Sequence, residues 1–216
     1  ANRWSALPSF ALFLERQGFV VDERTAVVLD LDKTAIGARG RNDGVINEAR
    51  VEGVQRTVAD LLGDEFDGAA FETAYNELNQ STYHPFTTDN QDYLAYICLM
   101  LGAGLYSLEE LVREIQDRSM GDFIAFISRI QARHDELERS GLAPIHDQVW
   151  ACVQAGDPTP FKAFRYNEYL TTVARFGGLA PSATELSVDE LLKTQIVLTQ
   201  EVREAAAAFR ARGALL

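Results

Sequence analysis

The chain has 216 residues, 47% of them hydrophobic and 24% charged, and a formal net charge of -12 at pH 7. That composition fits a folded chain with a sizeable core. So strong an acidic excess argues against nucleic acid or an anionic membrane surface as partner, since neither is approached without local positive charge. An anionic substrate stays open if a metal or a few basic side chains neutralise it locally.

No apolar stretch approaches a membrane span. Pro8 and Glu15 interrupt the apolar residues around Phe10 and Leu14, so no secretory leader is read there. Cys98 and Cys152 stand in apolar segments without CxxC spacing, and His84, His134 and His146 are scattered. These features predict a cytoplasmic protein with buried thiols and with surface or core histidines.

Phe10, Phe13, Leu14 and Gln17 fall at helical spacing, with Ser9 as cap and Gly18 as stop, which predicts a first helix over 9–17. Val20-Val21 and then Ala26 to Leu29 are the strand material of the chain. From Val45 onward the segments are helix-like. Val51, Val54, Val58, Leu61 and Leu62 share one face that Gly63 ends, and Asp67 caps a helix carrying Phe71, Ala74, Tyr75 and Leu78. Residues 91–101 are apolar nearly all round, as in the central helix of a bundle.

Ser107 with Glu110 forms a capping box, and Phe123, Ile127 and Ile130 carry the next pattern on to Gly141. Pro144 suits the first turn of a helix bearing Val149, Cys152 and Val153. Phe161, Phe164, Leu170, Val173 and Phe176 lead to Gly177-Gly178, and here Tyr166, Tyr169 and Phe176 read as core rather than a stacking wall. Ser187 with Glu190 opens another helix. The pattern predicts a small α/β piece interrupted by a helical bundle over about residues 47–190.

The last segment, from Thr199 to Gly213, has a hydroxyl cap, an acid in its first turn, basic residues in its last turn and a glycine stop. Ala214-Leu215-Leu216 then starts a further apolar run, which reads as a strand cut short in a fragment of a longer chain.

The chemistry concentrates after Ala26-Val27-Val28-Leu29. This run stops at Asp30; Asp32 and Thr34 follow, then Ala35, Gly37, Gly40 and Gly44. A buried strand that ends in a carboxylate would set it at the carboxyl edge of a sheet, where open α/β sheets bind ligands. On an extended strand end, residues two apart point the same way, so both acids would face one substrate. Paired carboxylates there attract a hard cation such as Mg²⁺. The stretch reads as a phosphoryl-transfer site.

Asp30-Leu31-Asp32-Lys33-Thr34 after a hydrophobic run resembles the first motif, DxDx[T/V], of the haloacid dehalogenase (HAD) superfamily. The final helix resembles the one before that family's second motif, and the long helical stretch resembles its inserted cap. The resemblance implies an α/β fold, with a partial Rossmann-like core over 1–46 and 191–216 and a helical cap over 47–190. It implies a Mg²⁺-dependent phosphatase acting on a small phosphorylated metabolite. Asp30 would be the nucleophile and Asp32 the general acid and base, with Mg²⁺ held by the Asp30 carboxylate and the Asp32 carbonyl. Thr34 would orient the loop.

A second acid at position 32 is what members acting on phosphate keep and those cleaving carbon–halogen bonds lack. A cap of this kind contributes specificity residues, which makes Lys162 and Arg165 candidates; Arg39 and Arg41 are weaker ones, better read as solvated charges. Thr199 only superficially resembles a second motif, since it caps a strong helix. The second, third and fourth motifs have no counterpart in these residues, so this piece alone would be a poor catalyst. The alternatives are an inactive helical interaction module and a phosphomutase.

Overall fold

Glycines, prolines and side-chain caps cut this chain into short helices. The computed structural model describes residues 4–30, 34–36, 42–176 and 187–216. Within them run α1 (Leu7–Arg16), α2 (Asp43–Leu62), α3 (Gly68–Leu78), α4 (His84–Thr87), α5 (Gln91–Gly102), α6 (Leu108–Gln116), α7 (Phe123–Gln131), α8 (His134–Arg139), α9 (Ala143–Gln154), α10 (Lys162–Val173), α11 (Val188–Thr194) and α12 (Gln200–Ala211). The chain divides into two compact units, Ala1–Ala49 with Thr172–Leu216, and Arg50–Thr171.

The expected α/β class is contradicted. Among the described residues there is no strand and no sheet, only two isolated parallel bridges, Ala26 with Leu215 and Phe176 with Ile196, and the fold is all-α. A strand persists when neighbouring strands continue the ladder and bury its side chains. Here Val27 N donates to Leu215 O and Leu215 N to Thr25 O, both at 2.9 Å, and the ladder goes no further. Beyond that rung Val28 is 94% exposed and Leu29 38% exposed. The Rossmann-like core is corrected with it.

In the first unit α1 packs on α12, and Arg212 Nη2 closes the pair on Glu15 Oε1 at 2.5 Å. The helix begins two residues before the expected Ser9, at Leu7, because Pro8 fits a first turn where its missing N–H leaves nothing unpaired. Among the described residues of this unit, Val45, Ala49, Ile196, Val202 and Ala214 are the buried apolar ones. The Ser187–Glu190 capping box is present in both directions.

In the second unit α5 is the hub. Its residues from Leu94 to Met100 are all buried, which is why the sequence is apolar on every side of this helix. Each such aliphatic side chain contributes roughly 1.5–3 kcal/mol by leaving water. Tyr93 stacks on Phe123 with centroids 3.9 Å apart, and Tyr96 meets Phe123, Phe126 and Phe161 edge-on. Asp67 caps α3 by accepting Ala69 N and Ala70 N, and Pro144 lies in the first turn of α9. The helix expected to run on from Phe123 to Gly141 is broken into α7 and α8. Arg133, at the break, donates to the Leu105 carbonyl and pairs with Glu136.

One packing reading is overturned. Tyr166 and Tyr169 are 64% and 61% exposed, and Phe176 is exposed too, so they are not core. The buried face of α10 is Phe164, Asn167 and Thr171. Asn167 Nδ2 donates to Thr57 Oγ1 at 3.0 Å, and Thr57 Oγ1 donates to Gly53 O at 2.7 Å. Gly53 admits the α10 backbone so closely that a Cβ there would stand 2.9 Å from Glu168 Cα. Hydrogen bonds and a bare glycine turned a polar stripe inward.

Candidate functional site

Asp30 is exposed and closes the segment that Leu215 pairs. Its backbone carbonyl accepts Ala35 N at 3.2 Å, which draws residues 34 and 35 back over it, and Thr34 Oγ1 donates to Asp30 Oδ2 at 2.9 Å. Two contacts from residue 199 hold this loop: Thr199 Oγ1 donates to Thr34 O at 2.7 Å and Thr199 N to Ala35 O at 3.0 Å. The approach to Thr199 is fixed in turn by Asn42, whose Nδ2 donates to Val197 O at 3.0 Å while its Oδ1 accepts Val197 N at 3.2 Å. The carboxylate is exposed, and Thr199 anchors residues 34 and 35 beside it.

Thr199 thus does something other than expected. It stands at the N-cap of α12, but its hydroxyl makes no cap bond and goes to Thr34 instead. Thr199 and Asn42 are the residues that sequence reasoning missed around Asp30. Sequence reasoning assigns Thr199 the part of a helix cap with a superficial likeness to a second motif, and it offers no reading of Asn42.

Asp32 lies outside the described residues, as do Leu31, Lys33, Arg39 and Arg41. No group of three His, Cys, Asp or Glu side chains suited to a metal gathers among the described residues. Mg²⁺ usually keeps several waters and takes one or two carboxylates. Asp30 fits that limited role, because its Oδ1 takes no bond from any described residue and its carboxylate is open to solvent.

The other two candidates belong to the second unit. Lys162 is tied up locally: its ammonium donates to Asp157 Oδ2 at 2.6 Å and to Thr159 O at 2.7 Å. The pair holds the Lys162 ammonium above its usual pKa and pulls Asp157 down to about 2. Lys162 therefore closes the turn before α10.

Arg165 sits in a charge network. It pairs with fully buried Asp92 and donates to Glu168 Oε2 at 2.6 Å, while Arg50 Nε donates to Glu168 Oε1 at 3.0 Å. Burial pushes the Asp92 carboxyl up, opposed by the Phe161 N–H and the Arg165 guanidinium. Arg50 and Arg165, with residues 88–91, line a cleft of about 450 Å³. Arg50 carried no sequence signal, being one charge on an amphipathic helix.

No helix among the described residues is long and apolar enough to cross a membrane. Neither a family model, nor a curated protein, nor a solved structure matches this chain.

Proposed function

We propose that this chain carries the reacting carboxylates of a Mg²⁺-dependent phosphatase of the HAD type, acting on a small phosphorylated substrate. The observation that supports the reading best is the anchored, solvent-open Asp30, held through Thr34 by Thr199. A nucleophile has to be ionised, accessible and fixed in aim. Exposure leaves the Asp30 carboxylate open to an incoming phosphoester, and the Thr34 hydroxyl restricts its rotation.

In this mechanism Asp30 attacks phosphorus and forms a phospho-aspartate. Asp32, two residues on in sequence, protonates the departing oxygen. It then takes a proton from the water that hydrolyses the acyl phosphate, and Asp30 is released. Asp30 and the Asp32 carbonyl would hold Mg²⁺, whose positive charge would lower the repulsion between nucleophile and phosphate.

The test is release of phosphate from a generic aryl phosphate by the full-length protein that carries these residues, with Mg²⁺ and with excess chelator. Turnover should require the metal. Equal turnover in chelator contradicts the reading.

A further inference from the structure

The cleft formed by Arg50, Arg165 and residues 88–91 lies wholly within the second unit, and its walls are nearly all polar. Most of those polar groups are spoken for. Asn90 Oδ1 caps Asp92 N at 2.9 Å and its Nδ2 donates to Pro158 O at 3.0 Å. Gln91 Oε1 accepts the Tyr75 hydroxyl at 3.0 Å, and Gln91 Nε2 donates to Asn79 Oδ1 at 3.1 Å. The Thr88 hydroxyl donates to Thr87 O at 2.7 Å. At the rim, exposed Asp89 is paired with His84 Nε2 at 3.5 Å.

What remains unmet is donor capacity on the two guanidiniums. Arg50 spends only Nε, on Glu168, and neither of its Nη groups has a partner among the described residues. Arg165 Nε and Asp92 Oδ2 are buried atoms without a hydrogen bond and closed to the cleft, so Arg165 offers a ligand only the Nη hydrogens left over from Asp92 and Glu168. A guanidinium presents five donors in a planar fork that matches two oxygens of one anion. The carboxylates of Asp92 and Glu168 hold the forks in place: Asp92 is fully buried and Glu168 mostly so. Aim is therefore set before any ligand arrives. Thr88 and Asp89, which also line the cleft, are consecutive left-handed non-glycine residues with φ of 54° and 55°, an uncommon backbone.

We propose that this cleft binds a small ligand through an oxyanion group, a carboxylate or a phosphoryl group, which Arg50 and Arg165 receive. The proposal is independent of the phosphatase reading, since it uses residues of the second unit alone. The ligand class follows from what is engaged: the amide oxygens of Asn90 and Gln91 are taken, the rim carboxylate of Asp89 is mostly exposed, and Arg50 keeps unpartnered Nη donors toward the cleft.

The test is a two-dimensional NMR titration of the whole chain in Mg²⁺-free buffer, with inorganic phosphate in one series and acetate in another. Saturable shifts are expected at the amides of residues 88–91 and at the Nε–H signals of Arg50 and Arg165. Saturation by phosphate alone assigns a phosphoryl ligand; saturation by acetate as well assigns oxyanions in general. Arg50→Gln should weaken binding about tenfold, the loss of one charge-assisted contact. Asp30→Asn should titrate like the unaltered chain, which separates this site from the one proposed above. Absence of saturable shifts at these positions in the unaltered chain overturns the proposal, as does a folded Arg50→Gln variant with undiminished affinity. Should Arg50→Gln not fold, the guanidinium signals of the unaltered chain decide.

Discussion

The Thr34 hydroxyl donates to Asp30 Oδ2 at 2.9 Å, four residues back along the chain. Thr34 O itself receives the Thr199 hydroxyl at 2.7 Å, so two threonines far apart in sequence hold one carboxylate. Thr34→Val removes the bond to Asp30 and keeps the shape. Metal-dependent turnover is expected to fall about tenfold, the weight of one hydrogen bond to a charged group, with little change in melting temperature. Thr34→Ser should retain most of it.

Thr199 is mostly buried, and Val in its place leaves the Thr34 carbonyl unpaired. Thr199→Val is expected to destabilise the chain by about 1–3 kcal/mol, read from urea denaturation, while Thr199→Ser recovers most of the loss. A silent Thr199→Val would show that the 34–35 loop is held by other contacts.

Gly53 and Gly44 share α2 but not surroundings. A methyl at Gly53 would meet Glu168 Cα at 2.9 Å and Glu168 N at 3.0 Å, both backbone, whereas nothing lies within 4 Å at Gly44. Gly53→Ala should cost about 1–3 kcal/mol by forcing α2 from α10. Gly44→Ala should be neutral or stabilise by up to about 1 kcal/mol through helix propensity. Thermal denaturation of the two variants checks the pair.

His146 is fully buried, with Nδ1 at 2.5 Å from the Tyr96 hydroxyl and Nε2 at 2.8 Å from Gln131 Oε1. Burial lowers its pKa below the ordinary 6.5, the nearby Asp147 opposing and His134 assisting. The unfolded chain therefore takes up the proton first as pH falls. The stabilisation due to neutral His146 is complete above 6.5 and is lost as pH drops from there toward the lowered folded value. Urea midpoints at pH values on either side of that window should fall on the acid side, and His146→Gln should flatten the dependence.

Cys98 is buried and its thiol is pushed up to about 12 by loss of solvent, while Cys152 is partly exposed. A thiol reagent at neutral pH should modify Cys152 in the folded chain and reach Cys98 only after unfolding. Mass spectrometry of the labelled peptides reads the difference.

Helices were legible wherever one local rule decided them. Asp67, Pro144 and the Ser187–Glu190 pair each satisfy a helix start from within a few residues, and residues 91–101 betray a central helix by being apolar all round. Where partners distant in sequence decide, the reading failed. Val28 looked like buried strand, but a strand is made by its neighbours, and Val28 lies open to solvent. Tyr166 and Tyr169 looked like core because aromatic residues recur on one face. That face lost to Asn167 and Thr171, whose hydrogen bonds and Gly53 contact appear only in three dimensions. At the site, Asp30 and Thr34 could be singled out from their spacing, but Asn42 and Thr199 could not, since their partners lie more than a hundred residues away.

The claim on which the functional account depends is that one solvent-open carboxylate attacks phosphorus. Asp30→Asn keeps the size and the Thr34 hydrogen bond while removing the nucleophile's charge, so it isolates that step. Phosphate release from an aryl phosphate in Mg²⁺ should drop to the uncatalysed level in this variant, with an unchanged unfolding curve. Turnover equal to that of the unaltered protein would contradict the account outright.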